Sequence, residues 1–309
     1  MNIGKVSENV LKRSVLKYIN NDNSAGHGVD CAIFTGMVAN EDADTCGRHA
    51  VLRAVNNAAS SGRKVVNIST TILMPEHMRE IKLKTIAMDI ADTVKELGLA
   101  VIDGHSETVA GLTLPVVIAT VTAVNTGFVA SKPVPGQAII MTKWMAMSGS
   151  AKIAKTNRDK LSCKYPDFII DDCIYLDQFY SVVPEAAVAV RSGAVCMNDC
   201  SDGGIFAALW QLADAGSVGL TVNLRDIPVM QESIEVCEYF DINPYRLRSD
   251  GSLLIVCDNP DEMIKALNEA EIKATLIGHI TEGSDRVIVS GEERRFLEEP
   301  RQDEGVMVQ

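Results

Sequence analysis

The sequence predicts an α/β protein built as two domains, and three observations lead there. Hydrophobic residues make up 47% of the chain but aromatics only 5%, so its cores are to be built from Ala, Val, Ile and Leu. Short β-branched runs alternate with stretches whose apolar residues recur at three-four spacing, the pattern of strands interleaved with helices. A segment rich in Pro, Lys132-Pro133-Val134-Pro135-Gly136, interrupts that pattern near the middle of 309 residues, a length sufficient for two cores. The expected domains are residues 1–134 and 135–309.

In chain order, residues 7–19 read as an amphipathic helix with Ser7 as N-cap. A polar loop follows, then a strand over 29–35, a helix over 44–60 and a β-branched strand over 64–73. Pro75 marks a helix start, and Leu83, Ile86, Ile90, Val94 and Leu97 keep one face until Gly98. A short strand over 99–102 runs into a loop, Asp103-Gly104-His105-Ser106-Glu107. The stretch 108–131 is uncharged. Its Pro115, glycines and β-branched residues favour a buried strand over a membrane helix, which needs about 20 apolar residues. In the second half, strands are expected over 139–142, 193–197, 219–222, 252–257, 274–280 and 286–290. Helices are expected over 150–157, 176–192, 203–215 and 231–240. From Gly291 onward the chain is charged and aperiodic, and a mobile tail is expected.

A net charge of −12 without a basic stripe excludes nucleic acid as the expected partner. The eight cysteines are scattered with no CxxC pair, and no secretion signal opens the chain. Reduced, mostly buried thiols in a cytoplasmic protein are therefore expected. There is no GxxxxGK[ST], no complete GxGxxG, no GxSxG elbow and no HExxH helix.

Four segments carry the makings of a site. The most informative is Asp199-Cys200-Ser201-Asp202-Gly203-Gly204-Ile205, where two carboxylates flank a hydroxyl and a Gly pair opens an alanine-rich helix. Backbone N–H groups at such a helix start face an anion, and the carboxylates can hold a cation. The others are Gly26-His27-Gly28-Val29-Asp30-Cys31-Ala32, the acids and histidine of 103–107, and Thr142-Lys143 followed by Ser148-Gly149-Ser150-Ala151. The last pairs a lysine with a small-residue helix start suited to phosphate.

The order of these segments resembles the superfamily of aminoimidazole-ribonucleotide (AIR) synthetase (PurM), the hydrogenase maturation factor HypE, thiamine-phosphate kinase and selenophosphate synthetase. Gly28-Val29-Asp30-Cys31-Ala32 resembles the family's G-D-D-A-A loop, and Gly104-His105-Ser106-Glu107 resembles the G-H-T-E segment of HypE-like proteins. Thr142-Lys143 with Gly149-Ser150-Ala151 resembles T-K…G-T-A, and 199–205 resembles D-x-[ST]-x-G-G. Asp241-Ile242-Asn243-Pro244 and Ser249-Asp250-Gly251-Ser252-Leu253-Leu254 resemble G-[LI]-D-P…S-x-G-x-L-L.

The HypE-like group is the best fit. The resemblance implies an N-terminal domain that dimerises through its sheet and a C-terminal α/β domain covering the site. It implies ATP with Mg²⁺ bound between the domains, activating an oxygen of a small substrate or carbamoyl-type group, with a hydrogenase-maturation protein as a further partner. It also implies site residues. Glu107, Asp199 and His105 are the catalytic candidates, and Asp30, Asn57, Glu107 and Asp199 the metal ligands. Gly28, Asp30, Lys143, Gly149, Ser150, Asp202, Gly203 and Gly204 are expected to bind the nucleotide.

Three departures bear on activity. Val29 replaces the first acid of G-D-D, and Val55-Asn56-Asn57 stands where the family has V-N-D. HypE ends in P-R-I-C, whereas Pro300-Arg301 is followed here by Gln302-Asp303-Glu304, so a carrier thiol is not expected on this tail. The rival expectations are a nucleotide-binding regulatory dimer and a HypE-type factor using a thiol in trans.

Overall fold

The computed structural model describes residues 31–39, 44–299 and 302–308. The expected helix over 7–19 and the Gly28–Asp30 segment lie outside the described residues. The chain forms two compact units that meet in sequence at Val129 and Ala130.

The first unit is a four-stranded sheet backed by two helices. Its strands are β1 (Cys31–Ala39), β2 (Arg63–Pro75), β3 (Val101–Val109) and β4 (Val116–Asn125), in the order β1-β4-β2-β3. Helices α1 (Cys46–Ser60) and α2 (Glu80–Glu96) connect them. β2 and β3 run parallel across α2, and the other pairs are antiparallel. Alternation decides which side is covered: Val117, Ala119, Val121 and Ala123 of β4 and Ile68, Ile72 and Met74 of β2 are buried. They meet a seam of small residues on α1, including Ala50, Ala54 and Ala58. The approach is close enough that a Cβ at Gly36 would lie 2.4 Å from the Ala54 nitrogen.

Two expectations are corrected here. Pro75 ends β2 rather than starting a helix, and α2 begins only at Glu80. The segment 103–107 is strand, not loop, because parallel pairing to β2 continues through Thr71↔His105 and Leu73↔Glu107. Hydrogen bonding to a neighbouring strand overrides the turn signal of Asp, Gly and Ser.

The second unit is a seven-stranded sheet with helices on both faces, in the order β11-β10-β7-β9-β5-β8-β6. The strands are β5 (Ala138–Thr142), β6 (Ala194–Cys200), β7 (Gly219–Asn223), β8 (Ser252–Cys257), β9 (Ala274–Thr281), β10 (Arg286–Ser290) and β11 (Glu293–Phe296). The helices are α3 (Met147–Thr156), α4 (Arg158–Leu161), α5 (Asp167–Tyr175), α6 (Val183–Arg191), α7 (Gly204–Gly216), α8 (Gln231–Tyr239) and α9 (Pro260–Glu269). β5 and β8 are buried throughout, as befits central strands. The main core joins Ile139, Met141, Leu254 and Val256 of the sheet to Ile153, Ile170, Leu209 and Val236 of α3, α5, α7 and α8.

The single helix expected over 176–192 is replaced by a 3₁₀ turn (Leu176–Phe179) and α6, with α5 preceding them. Beyond Gly291 the chain is not aperiodic coil throughout: β11 pairs antiparallel with β10, and Leu297 is buried. Among the described residues no helix is long and apolar enough to cross a membrane.

Candidate functional site

In the first unit the candidate residues stand on β3. Because side chains alternate along a strand, Asp103, His105 and Glu107 share one face. The partner of Gly104 is Thr70, whose side chain lies on the helix-covered side, so the three residues lie on the open side. His105 Nε2 and Glu107 Oε2 are 3.2 Å apart, and both side chains are largely exposed. Across the sheet the row continues through Thr71 and Ile118 to Met37. Met37 is 54% and Ile33 71% exposed on that open side. Asn57, on α1, donates its Nδ2 to the Thr35 carbonyl at 3.2 Å, a bond an ionised carboxylate could not make.

In the second unit the acid-and-glycine motif forms the corner between β6 and α7. Asp199 lies within the strand, opposite Leu253, and Cys200 beside it points into the main core. The carboxylate of Asp199 therefore leaves on the other face of the sheet. The turn then needs two left-handed residues, Gly203 (φ +81°) and Gly204 (φ +65°). A Cβ at Gly204 would come within 2.5 Å of the Leu247 carbonyl, so the loop 243–250 closes directly over the helix start.

That loop supplies a residue that sequence reasoning did not single out. Arg248 donates Nε to Asp202 Oδ1 at 2.9 Å and stands 3.8 Å from Asp250 Oδ2. Asp202 is thus ion-paired. The Gly203 N–H is also occupied: it donates to Asp303 Oδ2 at 2.8 Å. Burial pushes the Asp303 carboxyl above its ordinary range, against the opposing pull of Arg248 and of the Gly203 and Gly305 N–H groups. Of the two N–H groups at 203–204, that of Gly203 meets a carboxyl of the chain itself and that of Gly204 the Ser201 carbonyl.

The lysine and small-residue segment turns out differently from the expectation. Lys143, in left-handed backbone at φ +54°, is buried. Its Nζ donates to the carbonyls of Phe179 at 2.8 Å and Ser181 at 2.6 Å and pairs with Glu185 Oε1 at 2.7 Å. Three protons meet three acceptors, which leaves none for a phosphate. Burial is the main cause of its lowered pKa, and Glu185 opposes it.

Gly149 and Ser150 are committed as well. The Gly149 N–H donates to Arg248 O at 3.0 Å, and Leu247 packs where a Cβ would stand. The Ser150 hydroxyl is buried 2.9 Å from that of Ser233. At this end of α3, Ser148 donates to Asp250 Oδ2 at 2.8 Å. The small residues let the helix pack closely against 247–250.

Among the described cysteines, Cys46, Cys173, Cys200, Cys237 and Cys257 are buried and Cys163 is exposed. Burial pushes Cys173, Cys196 and Cys237 up to about 12, and Cys200 well above the usual range. Among the described residues no group of three or more His, Cys, Asp or Glu is arranged to hold a metal ion. Gly28 and Asp30 lie outside the described residues.

Comparison with known proteins agrees with this architecture. The N-terminal domain model of AIR synthase related proteins matches residues 14–125, and the C-terminal domain model matches 134–290. A putative hydrogenase expression/formation protein of Methanocaldococcus jannaschii is 25% identical over 85% of this chain and 76% of its own length. A carbamoyl dehydratase HypE of Rhizobium leguminosarum bv. viciae is 25% identical over 76% of this chain and 67% of its own. The crystal structure of hydrogenase maturation protein HypE in complex with ATP superposes with a TM-score of 0.75 at 15% identity, covering 99% of this chain and 98% of that one.

Proposed function

The chain belongs to the AIR synthase related protein family, and from that membership we propose that it is an ATP-dependent enzyme activating an oxygen of a small substrate or carbamoyl-type group. The observation that carries this reading is the match of both family domains, in order, over residues 14–125 and 134–290. The geometry supports it at one point in particular. The Gly203 N–H at the head of the thirteen-residue α7 already binds a carboxyl oxygen at 2.8 Å, so this donor fits a phosphate oxygen.

ATP with Mg²⁺, when bound, supplies a phosphoryl group whose developing charge the metal spreads. The Gly203 N–H would orient a phosphate, with Gly28 as a further backbone contact, whereas the Gly204 N–H is spent on the Ser201 carbonyl at 3.0 Å. Asp30, Glu107 and Asp199 would be the metal carboxylates; Asn57, on the covered side of the sheet with its amide on the Thr35 carbonyl, does not share a metal with Glu107 on the open side. The exposed His105–Glu107 pair moves a proton at His105 Nε2. Lys143, Gly149 and Ser150 are left out, because their donors are spent inside the fold. The open side of the four-stranded sheet, where Ile33 and Met37 are exposed beside the charged row on β3, is the dimer face, its partner a second copy of this chain. The relatives' names, a hydrogenase expression/formation protein and a carbamoyl dehydratase HypE, support a further alternative, a HypE-type maturation factor that uses a thiol in trans.

Calorimetric titration of a non-hydrolysable ATP analogue with Mg²⁺ into wild type, Asp30→Ala and Asp199→Asn tests the reading. Loss of a metal carboxylate should weaken binding by about 10–100-fold. Equal affinity in all three proteins sinks it. One observation favours a second reading, a nucleotide-binding regulatory dimer: Asn57 stands where the family carries an acid and is engaged with Thr35. That reading predicts analogue binding with no ADP formed from ATP across a panel of small hydroxyl and carbamoyl substrates.

A further inference from the structure

Arg248 stands where three parts of the second unit converge. Its Nε donates to Asp202 Oδ1 at 2.9 Å and lies 3.8 Å from Asp250 Oδ2, while its carbonyl accepts from Gly149 N–H at 3.0 Å. One residue of the loop before β8 thus ties the corner between β6 and α7 to the start of α3. Only 22% of the Arg248 side chain, 26% of that of Asp202 and 7% of that of Asp250 is exposed, so water screens these charges incompletely.

Asp250 is held from a second side. Its Oδ2 accepts from the Ser148 hydroxyl at 2.8 Å, and its N–H donates to the same Ser148 oxygen at 2.9 Å. The guanidinium is therefore placed beside a carboxylate already fixed, and Asp202 is drawn to it. Asp199 belongs to the same neighbourhood: it and Asp250 both raise the pKa of the buried Cys200 thiol. Three carboxylates stand here against one guanidinium.

A divalent cation takes oxygen ligands and gains affinity with each added carboxylate. Asp202, three residues from Asp199, is the nearest addition along the chain, yet its Oδ1 is bonded to Arg248, whose charge is permanent. A cation approaching Asp202 meets that charge at close range, where partial burial strengthens the repulsion.

We propose that Arg248 is a positioning residue that withholds Asp202 from the metal ion, so that Asp199 is the single carboxylate this corner gives to Mg²⁺. The proposal rests on the metal reading of Asp199 above and deepens it. With both carboxylates free, the corner would hold a cation by itself; with one, it needs phosphate oxygens to complete the shell. Metal and nucleotide therefore bind together.

The test uses the full chain as wild type, Asp202→Asn, Arg248→Gln, Arg248→Lys and the double variant Arg248→Gln/Asp202→Asn. Mn²⁺ replaces Mg²⁺, and paramagnetic resonance of the free ion reads its binding, alone and with a non-hydrolysable ATP analogue. Asp202→Asn keeps an acceptor for Arg248, so Mn²⁺ with analogue should bind within about twofold of wild type, where loss of a ligand would weaken it about 10–100-fold. Arg248→Gln should bind Mn²⁺ alone about tenfold tighter than wild type, because a carboxylate is freed and a positive charge leaves. Arg248→Lys keeps the charge and should stay near wild type. The double variant should lose the gain, as it would not if a loosened loop had caused it. Should Arg248→Gln fail to fold, Arg248→Met, which keeps most of the buried stem, takes its place.

A loss of about tenfold or more in Asp202→Asn, no gain in Arg248→Gln, an equal gain in Arg248→Lys, or a gain that survives in the double variant overturns the proposal. If wild type binds neither Mn²⁺ nor analogue, the ATP reading fails and Mn²⁺ alone decides the role of Arg248. A gain in Arg248→Gln that the double variant loses keeps the proposal, and its absence overturns it.

Discussion

Replacing Lys143 by Met should destabilise the second unit more than any surface change. The lysine and Glu185 side chains are only 10% and 4% exposed, and their charged atoms stand 2.7 Å apart. Glu185 Oε2 has no hydrogen-bond partner, so the ammonium is the main compensation for that buried charge. Its removal also leaves the carbonyls of Phe179 and Ser181 without this donor. Breaking a buried pair from one side costs about 3–5 kcal/mol. Urea unfolding followed by tryptophan fluorescence reads this directly, because both tryptophans, Trp144 and Trp210, belong to the second unit. With a slope of about 2 kcal/mol/M, a loss near 4 kcal/mol lowers the midpoint by roughly 2 M. The double variant Lys143→Met/Glu185→Leu removes both charges and should recover about 2 kcal/mol over the single variant, the unpaired carbonyls accounting for the remainder. It should also bind the ATP analogue within about twofold of wild type. A midpoint shift below about 0.5 M for the single variant would refute the ion-pair reasoning. A stable double variant that has lost nucleotide affinity about 100-fold would return Lys143 to the phosphate.

Three further outcomes are expected. Gly204→Ala must place a Cβ 2.5 Å from one carbonyl and 2.8 Å from another at φ +65°, so a loss above about 3 kcal/mol should show as a large fall in thermal midpoint. Met37→Glu puts a charge on the open side of the four-stranded sheet; sedimentation should report monomers where wild type gives dimers, and an unchanged dimer would move the interface elsewhere. Because the docked Asp303 carboxyl sits above its ordinary value of 3.8, docking takes up protons and tightens as pH falls through that raised value, then loosens as pH rises again. The amide shifts of Gly203 and Gly305 should follow that course; docking that strengthens with rising pH would mean Arg248 governs the carboxyl instead.

The sequence by itself determined the order of the elements and the family. Period-two and three-four spacing are local properties, which is why β2, β4, β5, β8, α1 and α7 lie close to where they were expected. The acid-and-glycine motif was legible for the same reason, since a Gly pair before an apolar helix dictates the turn. The strand nature of 103–107 was not legible, because it depends on pairing with β2. That pairing puts Asp103, His105 and Glu107 on one side of the sheet.

Tertiary structure alone decided who meets whom in charge. Lys143 looked like a phosphate ligand until the 3₁₀ turn and α6 brought it two carbonyls and Glu185 from about 40 residues away. The N–H of Gly203 looked open until Asp303 reached it from the far end of the unit. Spacing along the chain reports which face a residue takes, but an ion pair between distant segments follows from how the segments pack. The motif 199–205 thus fixed the kind of site from sequence, and the fold determined what fills it.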